Sequence, residues 1–238
     1  MKLDHTRVAR RLSGLYSQPL QRRFSMLVLT LVVVFLSGCI NYRANYHQPR
    51  FGLVAKDAQS ITLSGEPVSI PENAPSVSQG FSPAPEEKTP GDFHIDHPGI
   101  DIVGERDTPI LAAADGTVLR SAFDPMFGNQ ISIVHDQSFN GKTIKTNYYH
   151  LNQKTVSQGD RILMGEQIGG LGTTGVLASF LHLHFEVREA VNGQWQPLNP
   201  HLFWADGIGR VTCFSEYVRV KSEVSKQLIL SYPVKCKE

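Results

Sequence analysis

The polarity pattern changes character several times along the 238 residues. A basic stretch comes first, in which Lys2, Arg7, Arg10, Arg11, Arg22 and Arg23 face a single acid, Asp4. It leads into an apolar block from Met26 to Leu36, broken only by Thr30. That block falls short of the ~20 residues that span a bilayer. With Ser37 and Gly38 behind it, it has the form of a secretory signal. From Ile40 to about Pro90 no period holds, and seven prolines are scattered among Ser, Gln and Glu. This predicts an extended tether with a reach of roughly 40 Å.

From Gly91 to Pro200 the chain turns to short alternating or β-branched segments such as Gln130–Val134, Thr143–Thr146 and Leu181–Glu189. Asp115-Gly116, Asn140-Gly141 and Asn192-Gly193 punctuate them, and these dipeptides suit two-residue hairpin turns in which both residues need positive φ. No amphipathic helix is legible there. The pattern predicts an all-β fold, an antiparallel sheet domain with a groove. Beyond residue 209, Val211–Val220 and Gln227–Val234 read as the two strands of a further β-hairpin. The expected organisation is a signal at 1–38, a tether at 39–90, the β domain at 91–200 and a hairpin extension at 201–238.

Charge narrows the partners. The formal net charge is +1, but without residues 1–38 the chain loses six basic side chains and one acidic one and stands at −4. A slightly acidic chain fits neither nucleic-acid binding nor electrostatic docking on anionic lipid. The tetrad Leu36-Ser37-Gly38-Cys39 resembles the bacterial lipobox, which implies that Cys39 is acylated and becomes the first residue of the processed chain. Acyl chains worth ~0.8 kcal/mol per buried methylene would then provide the membrane attachment. Ile40, where an aspartate would imply inner-membrane retention, points to the outer membrane and its periplasmic face.

Three cysteines are an odd count for a secreted chain. With Cys39 lipidated, Cys213 and Cys236 are left either to form a disulfide or to remain two thiols. Their places near the open ends of the expected hairpin favour the pair.

Of nine histidines, four bear on chemistry. In Leu181-His182-Leu183-His184-Phe185-Glu186-Val187 the period is two, so the apolar side chains face the core and His182, His184 and Glu186 share the other, open face. In His97-Pro98-Gly99-Ile100-Asp101 a Pro-Gly turn can bring His97 and Asp101 toward one point. Two imidazoles and a carboxylate with a fourth position open is the donor set of catalytic rather than structural zinc. His150, in Tyr148-Tyr149-His150-Leu151, is unremarkable taken alone.

Taken together, these segments resemble the lysostaphin-type zinc peptidases, the LytM domain. The shared pattern is His97-Pro98-Gly99-Ile100-Asp101, Ala114-Asp115-Gly116, Gly128-Asn129, Tyr148-Tyr149-His150-Leu151, Ile168-Gly169-Gly170-Leu171-Gly172 and His182-Leu183-His184-Phe185-Glu186, in that order. The resemblance covers about residues 93–200. It implies one zinc ion held by His97, Asp101 and His184. It further implies His182 as general base or transition-state stabiliser, with His150 as its partner. The implied activity is hydrolysis of peptide cross-links in bacterial peptidoglycan, with its peptide stems as substrate. Some relatives of this domain have lost the metal ligands and activate cell-wall amidases instead, so a non-enzymatic regulator with cell-wall enzyme partners is the rival reading. The family usually carries Ser-Thr-Gly-Pro before His-Leu-His; Ala178-Ser179-Phe180-Leu181 stands here, which puts the local groove shape in doubt.

Overall fold

The computed structural model describes residues 68–82 and 96–238. Residues 1–38, Cys39 and most of the expected tether therefore lie outside the described residues. Among the described residues are eleven strands: β1 (Val77–Gln79), β2 (Ile100–Val103), β3 (Pro109–Leu111), β4 (Gly116–Asp124), β5 (Gly128–His135), β6 (Ile144–Leu151), β7 (Gln153–Lys154), β8 (Arg161–Ile162), β9 (Gln167–Gly170), β10 (His182–Val191) and β11 (Gln194–Leu198). A short 3₁₀ turn at Pro200–Leu202 and a helix, α1 (Glu216–Val224), follow. The larger sheet runs β1-β2-β10-β6-β5-β4-β8, with β11 also paired to β10, and a three-stranded sheet runs β3-β9-β7. Every named strand pair is antiparallel. The all-β antiparallel class expected from alternation is the class observed.

The alternation places the core. Ile100, Ile102, Ile131, Ile133, Leu183 and Phe185 are fully buried in one core, each worth roughly 1.5–3 kcal/mol of burial. Two of the three dipeptide turns behave as expected. Asn140 and Gly141 have φ of 51° and 73°, and Asn192 and Gly193 have φ of 51° and 76°. They close β5 onto β6 and β10 onto β11. Asp115-Gly116 does not make such a turn, because β3 pairs with β9 rather than β4. A Cβ on Gly116 would overlap the Val134 carbonyl oxygen, so this glycine serves close backbone approach. Asp115 Oδ1 instead accepts the Met164 N–H at 2.7 Å.

Two expectations are corrected. Residues 211–220 do not form a hairpin strand. The Ser215 hydroxyl caps a helix by accepting the Val218 N–H at 3.3 Å. The apparent alternation misleads because Val218 is buried while Val220 is half exposed; Val218 and Ser222, four apart, are the inward positions. Residues 228–235 are extended but are threaded among several partners. Leu230 N–H donates to Phe203 O, Ser231 N–H to Ala113 O and Tyr232 N–H to Thr212 O. Trp204, Leu230 and Tyr232 belong to the same core as the sheets, so 201–238 is part of the domain and not an appendage.

The second correction concerns 68–82, expected within the tether. Val77 is buried and β1 is the edge strand beside β2. Val68, Ile70, Ala74 and Phe81 pack on the core. Pro71 and Pro75 obscured this in the sequence, yet a proline beside an edge strand removes no ladder bond that matters.

Candidate metal centre

The centre lies where β2 and β10 run side by side. The register sets Asp101 directly opposite His184, and Tyr149 of β6 opposite His184 on its other flank. Opposed residues share a face of the sheet, so the carboxylate and the imidazole meet without any special loop. His97 arrives from the turn before β2. Gly99 lets that turn press against β10, since a Cβ there would stand 3.0 Å from His184 Cε1 and overlap the Phe185 carbonyl oxygen.

The resulting distances are short. His184 Nδ1 lies 2.8 Å from Asp101 Oδ1, and His97 Nε2 lies 3.1 Å from both Asp101 Oδ1 and His184 Nδ1. One donor atom from each of His97, Asp101 and His184 falls within 4.8 Å of the others. Two nitrogens and one carboxylate oxygen converging this way fit a divalent ion such as zinc, with coordination left over for a non-protein ligand. The other nitrogen of each histidine is also engaged. His97 Nδ1 meets Gly80 O at 2.7 Å, and His184 Nε2 faces Glu186 Oε1 at 3.4 Å. Outer partners of this kind are what fix a ligand's tautomer and ring angle.

Two further histidines stand beside the trio. His182 Nδ1 is 2.9 Å from Phe180 O, which leaves Nε2 toward the centre, 3.7 Å from Asp101 Oδ1. His150 Nδ1 is 2.9 Å from Thr174 O, and its ring centroid is 4.8 Å from that of His182. His150 sits at φ 64°. A non-glycine residue in the left-handed region is a strained placement of the sort that gathers at functional sites. Phe180 stacks on His182 with centroids 4.4 Å apart, so the segment that departs from the family pattern forms one side of the site.

The polar face of β10 is not open, as its alternation suggested. His182, His184 and Glu186 are all buried, because neighbouring loops and strands roof that face. Burial disfavours charge on Asp101, but hydrogen bonds from His184 and His97 outweigh it and hold the carboxyl well below its ordinary value. Burial likewise opposes a charged His184, but the bonds to Asp101 and Glu186 prevail and raise it to about 9. A cation at His184 Nδ1 would displace that proton, since a ligating imidazole must be neutral. His150 is depressed to about 4, mainly by burial, and His182 is lowered for the same reason. Both are neutral near pH 7.

Glu186 is the functional residue whose role the sequence reading did not assign. Arg188 Nε and Nη2 donate to its two oxygens at 2.7 and 3.0 Å, Asn147 Nδ2 donates at 2.7 Å and the Tyr149 hydroxyl at 3.3 Å. Burial would raise this carboxyl, but the bonds from His184 and Arg188 hold it at about 2. A buried ionised carboxylate is stable only when so fully paired. The signal was present: Glu186 and Arg188 follow His184 at a spacing of two.

The model of peptidase family M23 matches residues 95–200. The peptidoglycan DD-endopeptidase ShyC of Vibrio cholerae is 37% identical over 117 residues, covering 49% of this chain and 25% of the relative. The DD-carboxypeptidase/endopeptidase Mpg of Neisseria gonorrhoeae is 38% identical over 104 residues, covering 44% of this chain and 22% of the relative. The chain thus spans about a quarter of the length of these relatives. The catalytic domain of lysostaphin from Staphylococcus simulans aligns with 53% of this chain and 89% of its own, at 26% identity and a TM-score of 0.43.

Proposed function

We propose that the chain is a zinc-dependent endopeptidase that hydrolyses peptide cross-links of peptidoglycan, a reading supported by the match of residues 95–200 to the model of peptidase family M23. The observation that carries the reading is the convergence of His97 Nε2, Asp101 Oδ1 and His184 Nδ1, with His182 and His150 alongside. The relative named as a peptidoglycan DD-endopeptidase supports the substrate class.

In this reading one zinc ion is held by His97, Asp101 and His184. When bound, zinc supplies Lewis acidity toward a peptide carbonyl and toward a water nucleophile. His182 is the general base: its Nδ1 proton is held by the Phe180 carbonyl, and its neutral Nε2 can accept a proton near pH 7. His150, whose Nδ1–H donates to the Thr174 carbonyl, is held beside His182; it can bond to charge developing on the carbonyl oxygen only once its Nε2 has taken up a proton. Glu186, locked by Arg188 and Asn147, keeps the His184 ring from rotating. The Cys39 lipid anchor and the outer-membrane address are proposed with this reading, on the strength of the lipobox-like tetrad.

The test uses the full-length chain on intact sacculi with analysis of the released fragments. The wild type releases cross-link cleavage products without an added amidase. His184→Ala loses zinc and activity together. His182→Ala keeps zinc but loses activity by roughly 10²–10⁴-fold, the usual worth of a positioned base. Activity that arises only when an amidase is added would instead establish the regulator reading.

A further inference from the structure

The family match begins at residue 95, yet one group gripping the metal trio comes from before it. His97 Nδ1 lies 2.7 Å from the Gly80 carbonyl oxygen, while Nε2 faces Asp101 and His184. A carbonyl oxygen can only accept, so the proton of this imidazole belongs on Nδ1 and the Nε2 lone pair is left for a cation. The contact is no chance touch of a passing loop. Ser82 N–H donates to His97 O at 2.9 Å, and His97 N–H returns to Ser82 O at 2.7 Å. β1 aligns Gln79 with Asp101, and the Ser78 hydroxyl donates to the Asp101 carbonyl at 3.3 Å. Two of the three donors are therefore backed by a segment outside the matched stretch.

That segment is itself held from behind. Tyr232 Oη donates to Pro75 O at 2.8 Å, Lys237 N–H donates to Asn73 O at 2.8 Å, and Ser69 N–H donates to Gly209 O at 2.8 Å. Val77, 3% exposed, pegs β1 into the core. The C-terminal segment thus clamps residues 69–77, and residues 76–82 brace His97.

We infer that residues 76–82 are a built part of the metal centre, in which the Gly80 carbonyl is the positioning group that sets the His97 tautomer and ring angle. The inference rests on the reading that His97, Asp101 and His184 bind zinc. Outer partners of metal-ligating histidines are worth about 10–100-fold in metal affinity. Loosening β1 therefore weakens zinc binding even though no ligand is altered.

The experiment compares zinc affinity, by competition against a chromophoric chelator, for the full-length wild type, Val77→Ala and Val118→Ala. Val118 is equally buried, at 1% exposed, but lies in β4, well away from β2. Both substitutions remove the same atoms from the core, so general loosening affects both alike. Val77→Ala is expected to lose roughly 10-fold in zinc affinity while Val118→Ala stays within about twofold of wild type. Nitrogen-15 spectra of the histidine rings of the zinc-loaded wild type, with His97 assigned by substitution, are expected to show its proton on Nδ1. Equal affinities for the two variants, or a His97 proton on Nε2, would overturn the inference while leaving the zinc site standing. A wild-type chain that takes up no zinc would overturn the site and the inference together.

Discussion

Replacing Gly99 with alanine adds a single methyl group, yet it is placed to separate the two halves of the metal centre. The added Cβ would overlap the Phe185 carbonyl oxygen and stand 3.0 Å from both His184 Cε1 and Glu186 Cγ. Ordinary van der Waals contact needs about 3.5 Å, so the turn and β10 must part by roughly 0.5–1 Å. β10 is held between β2 and β6, so the movement falls on the turn that carries His97, while Asp101 stays opposite His184 in the β2–β10 pairing. Metal–ligand distances tolerate about 0.2 Å, so the three donors can no longer share an ion on good terms. The φ of Gly99 is not in the left-handed region, so alanine meets no backbone penalty, and overpacking should cost about 1–3 kcal/mol of stability. The expected outcome is a folded protein whose zinc affinity falls by at least ~10-fold, or about 1.4 kcal/mol. Chelator competition measures the affinity, and circular dichroism melts taken in excess chelator report the fold separately. A folded G99A protein that binds zinc as tightly as wild type would show that close packing of turn on strand is not what assembles the site.

Acid should unfold the protein partly through His135, which is buried with Nδ1 3.0 Å from Asp115 O and Nε2 2.9 Å from Thr146 Oγ1. Burial lowers its pKa from 6.5 to about 4. The unfolded chain therefore takes up this proton first: the stability due to neutral His135 is intact above pH 6.5 and drains away as pH falls toward 4, by about 3 kcal/mol across that window. Urea titrations at pH 7 and 4.5 should show a smaller acid loss for His135→Gln than for wild type, and equal losses would remove His135 from the account. The Cys213–Cys236 disulfide joins the start of the clamping segment to its end across a separation of 23 residues. In the chain-entropy treatment its removal in the Cys213→Ser/Cys236→Ser double variant costs about 3 kcal/mol, seen as a lower urea midpoint; an unchanged midpoint would assign the bridge no stabilising role.

Much of the site was legible in order along the chain. The period of two in Leu181–Val187 placed His182 and His184 on one face, because side chains of a strand must alternate. Pro98-Gly99 announced a turn between two donors. Chemistry of type and local spacing is carried by adjacent residues, and one-dimensional patterns report it faithfully. The β class and the two Asn-Gly hairpins were readable for the same reason. The helix at Glu216–Val224 was not: Val218 and Val220 alternate as in a strand, and only burial of one and exposure of the other settles the period.

Other features belong to the tertiary structure alone. The opposition of Asp101 and His184 depends on strand register, which no residue encodes by itself. The enclosure of Glu186 by Arg188, Asn147 and Tyr149 draws on two different strands. The recruitment of Gly80, a residue with no side chain, is a matter of where a backbone carbonyl comes to rest. The sequence by itself determined which donors exist and which face of a strand they share. The folded chain decided which of them meet and which way each imidazole turns, because long-range pairing is set by the packing of the whole core and not by neighbours in the chain.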